Sequence, residues 1–245
     1  MTIDCYVTLG EERETVYSAE TLIRDLDKAG VEKAVIAPAD REIAVLNKSG
    51  NDFIYNAALK FPDRLIPACT INPWYGVEGI TELKRSAERG IQMLVLNPTV
   101  QGFLINDELV NDLIATAETY KLPVYVHTGP HLYGAPWQLT DCALRFPDVN
   151  FIMGHAGATD FWNDISHACS VTNNIYLEGS LARPFIFKAH IKGIGVERGI
   201  MGSAAPRNNL VFEWEQYRTE LSDDEFLPVW GDVLASILPG KGGWK

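Results

Sequence analysis

The chain of 245 residues predicts an α/β fold, a (β/α)8 TIM-type barrel built as a single domain over residues 1–238. Three observations carry that expectation. Short β-branched runs alternate with amphipathic stretches almost from end to end, the pattern of parallel strands joined by helical crossovers. Runs that read as strands fall at residues 3–7, 33–37, 65–70, 91–96, 124–127, 151–155, 175–178 and 199–203. The phrases Lys28-Ala29-Gly30-Val31, Glu88-Arg89-Gly90-Ile91 and Glu197-Arg198-Gly199-Ile200 repeat one another, each reading as a helix that stops on glycine and turns into a strand. A doubly wound open sheet is the weaker alternative. Its dinucleotide-binding form wants Gly-x-Gly-x-x-Gly after the first strand, and Gly10-Glu11-Glu12-Arg13 is unlike that.

Taken in order, the first strand places Ile3, Cys5 and Val7 on one face, expected to meet the helices, and Asp4, Tyr6 and Thr8 on the inner face, because side chains alternate along a strand. Ser18 caps a helix whose apolar stripe is Leu22, Ile23, Leu26 and Ala29, with Gly30 as its stop. Gly90 closes another. Asn106 opens a third, with Asp107 and Glu108 at its positive end, and Pro136 opens a fourth that ends before Pro147. On the seventh strand Ile175 and Leu177 face out, leaving Tyr176 and Glu178 inward. His127 and His155 end the fifth and sixth strands, and Ala204 follows the eighth. Chemistry in such a barrel gathers at the C-terminal strand ends, so the mouth is expected to be ringed by Tyr6, Thr8, Asn97, His127, His155 and Glu178. Residues 239–245 read as a flexible tail.

Composition is that of an ordinary globular chain, with 47% hydrophobic and 22% charged residues. The net charge of −11 disfavours phosphate backbones and anionic lipid, so no nucleic acid and no membrane partner is expected. Cys5, Cys69, Cys142 and Cys169 lie far apart without a Cys-x-x-Cys pair, which predicts free thiols and a reducing, cytoplasmic setting. Residues 1–9 do not read as a secretory signal, and no apolar run reaches the ~18 residues of a membrane span.

Two histidines on successive strand ends are the sharpest polar signal. Imidazole ligates zinc, iron or nickel well, and it equally serves as a neutral hydrogen-bonded group at a wet strand end; both readings stand. Glu178 either completes a two-His-one-carboxylate metal set or pairs with Arg183 or Lys192. His131, in a loop between Gly129 and Gly134, reads as a solvated or lid residue, and His167 and His190 as peripheral. Ser203 between Gly202 and Ala204 falls short of a nucleophile elbow.

These residues also carry a likeness. Ile3-Asp4-Cys5-Tyr6-Val7-Thr8-Leu9-Gly10 resembles the opening Ile-Asp-x-His-x-His-x-Gly of the amidohydrolase-related family of metal-dependent hydrolases and decarboxylases. Leu122–Gly129, Phe151–Gly157 and Met201–Pro206 resemble that family's fifth, sixth and last strands. The resemblance implies that His127 and His155 stand at metal-ligand positions, with Tyr6 and Thr8 where two histidines belong and Ala204 where an aspartate belongs. It therefore implies a divergent member with either no cofactor or a single divalent metal, zinc foremost, on His127, His155 and Glu178.

Two functional expectations follow. In the first, the mouth acts on a small polar or carboxylated substrate by metal-independent or remodelled-metal hydrolysis or lyase chemistry. His127, His155 and Tyr6 would be the catalytic groups, and Thr8, Asn97, His131 and Ser203 the substrate contacts. In the second, the chain is a catalytically inactive relative that binds a small-molecule ligand, regulates, or forms a homo-oligomer through Trp137, Trp162, Trp214 and Trp230.

Overall fold

A computed structural model describes residues 1–12, 15–129, 134–157 and 162–240. Its sheet has nine strands in the order β2-β1-β3-β4-β5-β6-β7-β8-β9. They are β1 (Ile3–Glu12), β2 (Thr15–Tyr17), β3 (Lys33–Pro38), β4 (Leu65–Thr70), β5 (Met93–Leu96), β6 (Val124–His127), β7 (Phe151–Gly154), β8 (Ile175–Glu178) and β9 (Gly199–Ile200). Strand β2 folds back antiparallel on β1 and is an addition that the sequence pattern does not announce. The other strands pair in parallel from β1 round to β9. The ring closes where the segment after β9 meets β1: Ala204 N donates to Tyr6 O at 3.1 Å, Thr8 N to Ala205 O at 2.9 Å, and Val7 bridges Ala205 in parallel. The result is the (β/α)8 barrel expected.

The helices form where their caps predict. Ser18 Oγ accepts from Thr21 N at 3.2 Å to start α1 (Ala19–Ala29), and Gly30 takes the left-handed φ of 62° that ends it. Leu22 and Leu26 of α1 are completely buried, each stabilising the barrel wall by about 1.5–3 kcal/mol. Helix α7 (Pro136–Arg145) begins at Pro136 as expected. The Asn106 start is corrected: Asp107 accepts from Leu109 N at 2.9 Å and caps a short turn, and α6 (Asn111–Thr119) begins later. The third glycine phrase also differs. Gly199 has an extended φ of −90° and is needed for packing, since a Cβ there would meet Ile191 and Val229 side chains at 3.0 and 3.2 Å.

The larger correction concerns β1. Ile3 and Cys5 belong to the barrel interior with Val35, Met93, Tyr125 and Ile152, whereas Val7 and Leu9 join the outer layer under the helices. A register shift between Asp4 and Val7 lets Cys5 and Tyr6 share the interior, as a β-bulge does. Asp4 therefore turns toward the helix layer, where its Oδ2 accepts from Trp214 Nε1 at 2.9 Å. Its Oδ1 accepts from Tyr6 N at 3.2 Å and Ser203 N at 2.9 Å, serving amides that the bulge and the closing segment leave unpaired.

Trp214 is completely buried on α10 (Leu210–Glu220), its ring 5.7 Å from Trp230, so it is unavailable to a subunit interface. Trp137 and Trp162 remain exposed. All four cysteines are buried and unpaired. Among the described residues no helix is long and apolar enough to cross a membrane. Of the expected tail, residues 241–245 lie outside the described residues.

Candidate functional site at the barrel mouth

Tyr6 and Thr8 reach the mouth from β1, His127 from the end of β6, His155 from the turn after β7, and Ala204 from the closing segment. With Arg207 they line one cavity. Its free volume is ≈ 10 Å³, about the space one water molecule requires. The backbone around it is unusual: His155, Ala156 and Ala204 hold φ of 64°, 41° and 55°, a left-handed region that non-glycine residues seldom adopt. Two glycines admit the close packing beneath. A Cβ at Gly154 would overlap the Tyr125 ring, and one at Gly202 would overlap Glu178 Oε1.

A continuous line of hydrogen bonds runs inward from the cavity. Tyr6 Oη lies 2.9 Å from His127 Nε2, and His127 Nδ1 lies 2.9 Å from His155 Nε2. His155 Nδ1 lies 2.8 Å from Ser180 Oγ, whose hydroxyl donates to Glu178 Oε2 at 2.8 Å. Glu178 is fully buried and also accepts from Tyr125 Oη at 2.8 Å, His155 N at 3.0 Å and Ser180 N at 2.8 Å. Tyr6 and Tyr125 stack with centroids 4.6 Å apart.

Electrostatics keep the two rings neutral. Burial drives His155 down to about 3, helped by the positive charge of Arg207. Burial, then the neighbouring His155 and Arg207, hold His127 well below the ordinary histidine range. Burial raises Glu178, against the lowering effect of its donors from His155, Ser180 and Tyr125. Arg207 reaches Asp40 Oδ2 at 3.0 Å on the rim.

Of the residues singled out from the sequence, Tyr6, Thr8, His127 and His155 come together. Glu178 lies on the same line but beneath the cavity, and neither Arg183 nor Lys192 appears among its hydrogen-bond partners; Lys192 pairs with Glu225 at 2.8 Å. Asn97 does not join the site, because its Oδ1 accepts from Val100 N at 3.1 Å to cap α5 (Pro98–Gln101). Ser203 is also displaced from it: completely buried, its Oγ accepts from Ala205 N at 3.2 Å. His131 lies outside the described residues. His190 is buried against Ser166 at 2.7 Å rather than peripheral. Sequence reasoning missed Ser180, Tyr125 and Arg207. Tyr125 carried a usable signal, standing two residues before His127 and so on the same face of β6; Ser180 and Arg207 sit in turns without periodicity.

Among the described residues no group of three or more His, Cys, Asp and Glu side chains is placed to hold a metal ion. Both ring nitrogens of His127 are engaged by Tyr6 and His155, and both oxygens of Glu178 are taken by donors. Phenol and hydroxyl at Tyr6 and Thr8 ligate only after losing a proton. Among the described residues this donor set does not fit a divalent ion.

The amidohydrolase family profile matches residues 22–224, and the chain belongs to that family. Solved structures share its fold. The 5-carboxyvanillate decarboxylase of Sphingomonas paucimobilis superposes with a TM-score of 0.75 at 16% identity, covering 96% of this chain and 98% of that one. The dihydroxybenzoic acid decarboxylase of Polaromonas sp. JS666, solved with manganese and the inhibitor 2-nitroresorcinol, gives 0.76 at 13% identity over 96% of each chain. The 2,6-dihydroxybenzoate decarboxylase of Rhizobium gives 0.73 at 14% identity, covering 97% and 98%. At such identities the likeness is one of fold. Comparison with curated protein sequences returns no match.

Proposed function

We propose that this chain is a metal-independent member of the amidohydrolase family, acting on a small carboxylated compound at the barrel mouth by lyase or hydrolytic acid–base chemistry. The observation that carries this reading is the engagement of both His127 ring nitrogens, by Tyr6 and by His155, at a position where the family resemblance wants a free metal ligand. Those 2.9 Å separations are the contacts general acid–base catalysis uses, and burial keeps His127 and His155 neutral, so each ring can pass a proton from one nitrogen to the other without holding a net charge. Arg207 at the rim supplies the fork-shaped donor that suits a carboxylate. Thr8 lines the same cavity with a hydroxyl that also reaches Ala205 O at 3.4 Å. The decarboxylases that share the fold act on carboxylated aromatics, by their names, which supports that substrate class here.

One observation favours a second reading, that of a non-catalytic relative which binds a ligand or assembles with copies of itself. The cavity has room for about one water, so anything larger must first displace part of its wall. A single experiment separates the two. Metal content is measured on protein purified without chelator, and a panel of hydroxybenzoates and aromatic dicarboxylates is then assayed with and without chelator. The expected result is substoichiometric metal together with turnover that chelator leaves unchanged. Stoichiometric zinc or manganese that disappears in His127→Ala would overturn the metal-free reading, and absence of turnover and of ligand binding across the panel would sink the enzyme.

A further inference from the structure

We infer that the buried Glu178 carboxylate sets the direction of a proton relay that makes Tyr6 the catalytic base, with Ser180 as the residue that positions it. This rests on the metal-free reading of the mouth. Two of the four donors to Glu178, His155 N and Ser180 N, are backbone amides, and an amide N–H can only donate. Both carboxylate oxygens are therefore acceptors. Ser180 has one hydroxyl proton and gives it to Glu178 Oε2 at 2.8 Å. Its Oγ must then accept from His155, which places the imidazole proton of that ring on Nδ1.

The consequence propagates. A neutral imidazole carries one proton, so His155 Nε2 is an acceptor and His127 Nδ1 must be the donor to it. His127 Nε2 is then an acceptor, and the partner that donates to it is the Tyr6 hydroxyl. Both rings are held as Nδ1–H tautomers by a choice made at the far end of the line. Discharge of the relay is a set of four concerted transfers. The Tyr6 Oη–H bond breaks as His127 Nε2–H forms; the His127 Nδ1 proton moves to His155 Nε2; the His155 Nδ1 proton moves to Ser180 Oγ; and the former Ser180 proton moves to Glu178 Oε2. No proton enters or leaves. One negative charge passes from the closed interior to Tyr6, whose phenolate then shares the cavity with the Arg207 guanidinium and takes a proton from a substrate group admitted beside it as the wall opens. The logic is that of a nucleophile–base–orienting group line in which the buried acid selects the tautomer.

Histidine tautomers are read directly by long-range proton–nitrogen correlation NMR on protein labelled with 15N-histidine, assigned with His127→Gln and His155→Gln. Wild type is expected to show both rings as Nδ1–H. Ser180→Ala removes the hydroxyl acceptor of His155 and leaves the ring only the backbone of residue 180 and the more distant Glu178 Oε2 at 3.9 Å, so both rings should shift toward tautomer mixtures, while Ser180→Thr, which keeps the hydroxyl, restores the wild-type pattern. Tyr6→Phe should leave both rings as Nδ1–H, because the direction is set from the Glu178 end. An Nε2–H form of either ring in the wild type overturns the relay. So does the reverse asymmetry, with Tyr6→Phe scrambling the tautomers and Ser180→Ala leaving them intact. The wild-type spectrum decides even if Ser180→Ala fails to fold. Metal content of the same samples keeps the two ideas apart: a ring bound to metal refutes the metal-free reading, whereas a metal-free protein with the wrong tautomers refutes the relay alone.

Discussion

Asp4 and Glu178 are both completely buried carboxylates, and burial raises the pKa of each, yet they do different work. Asp4 is saturated by Tyr6 N, Ser203 N and Trp214 Nε1. These three are N–H groups with no onward partner for a proton, and the Ser203 hydroxyl that also hydrogen-bonds Asp4 is met on its other side only by the Ala205 amide, so Asp4 ties a bulged strand to the closing segment and to α10. Glu178 is met by two amides and by two hydroxyls, those of Ser180 and Tyr125. A hydroxyl both donates and accepts, and through Ser180 the carboxylate is joined to His155, His127 and Tyr6. The difference teaches that burial alone does not make a carboxylate chemical. What matters is whether its donors can themselves pass a proton on.

The sharpest way to break this comparison is Asp4→Ala, which strands three donors at once. The expected loss is about 3 kcal/mol or more of folding stability, read by denaturant unfolding, and a loss below about 1 kcal/mol would mean that the bulge does not need its staple. Glu178→Gln comes next, at about 1–3 kcal/mol, since either orientation of the amide sets its NH2 against a backbone N–H of His155 or Ser180. Unlike Asp4→Ala, it should also disturb the tautomers of His127 and His155; unchanged rings would merge the two carboxylates into one structural class.

A smaller effect comes from Glu213 on α10, 6% exposed and raised to about 7 by burial and then by the charge of Glu178, with Asp4 a lesser contributor. A folded-state value above the ordinary 4.5 means that its contribution is fully present below pH 4.5 and is lost as pH rises through about 7. His155, lowered from 6.5 to about 3, has the opposite sense: its contribution is present above pH 6.5 and is lost as pH falls from there toward 3. Glu213→Gln should therefore gain about 1–2 kcal/mol relative to wild type at pH 8 and little at pH 5, leaving the histidine limb exposed. Melting curves across that range check it, and a gain that does not grow with pH would refute it. Least of all, Tyr125→Phe removes one hydroxyl donor from Glu178 and should cost about 1 kcal/mol, measurable in the same unfolding assay, without changing either histidine tautomer.

Much of the fold was legible because its signals are local. Ser18 and Gly30 bracket α1 through their own backbone chemistry, and the two-residue period of β8 correctly turned Ile175 and Leu177 outward. The same period misassigned Ile3, Cys5 and Asp4, because a bulge between Asp4 and Val7 breaks the alternation and nothing in those residue types marks it. At the site, Tyr6, Thr8, His127 and His155 were reachable from strand ends, while Asn97 Oδ1 and Ser203 Oγ accept from backbone amides nearby, contacts that strand alternation does not forecast.

The sequence by itself determined the barrel and the family likeness, which in turn implies replacements at Tyr6, Thr8 and Ala204, since hydrophobic period, caps and residue identity are written along the chain. Only the tertiary structure decided what the replacements make. It brought Ser180 beneath His155, put Arg207 on the cavity wall, turned Asp4 away from the mouth and Glu178 into the line. Those relations join residues from β1, β6, β7, β8 and the closing segment, and they depend on ring closure and on one register shift, neither of which a local pattern of residues encodes.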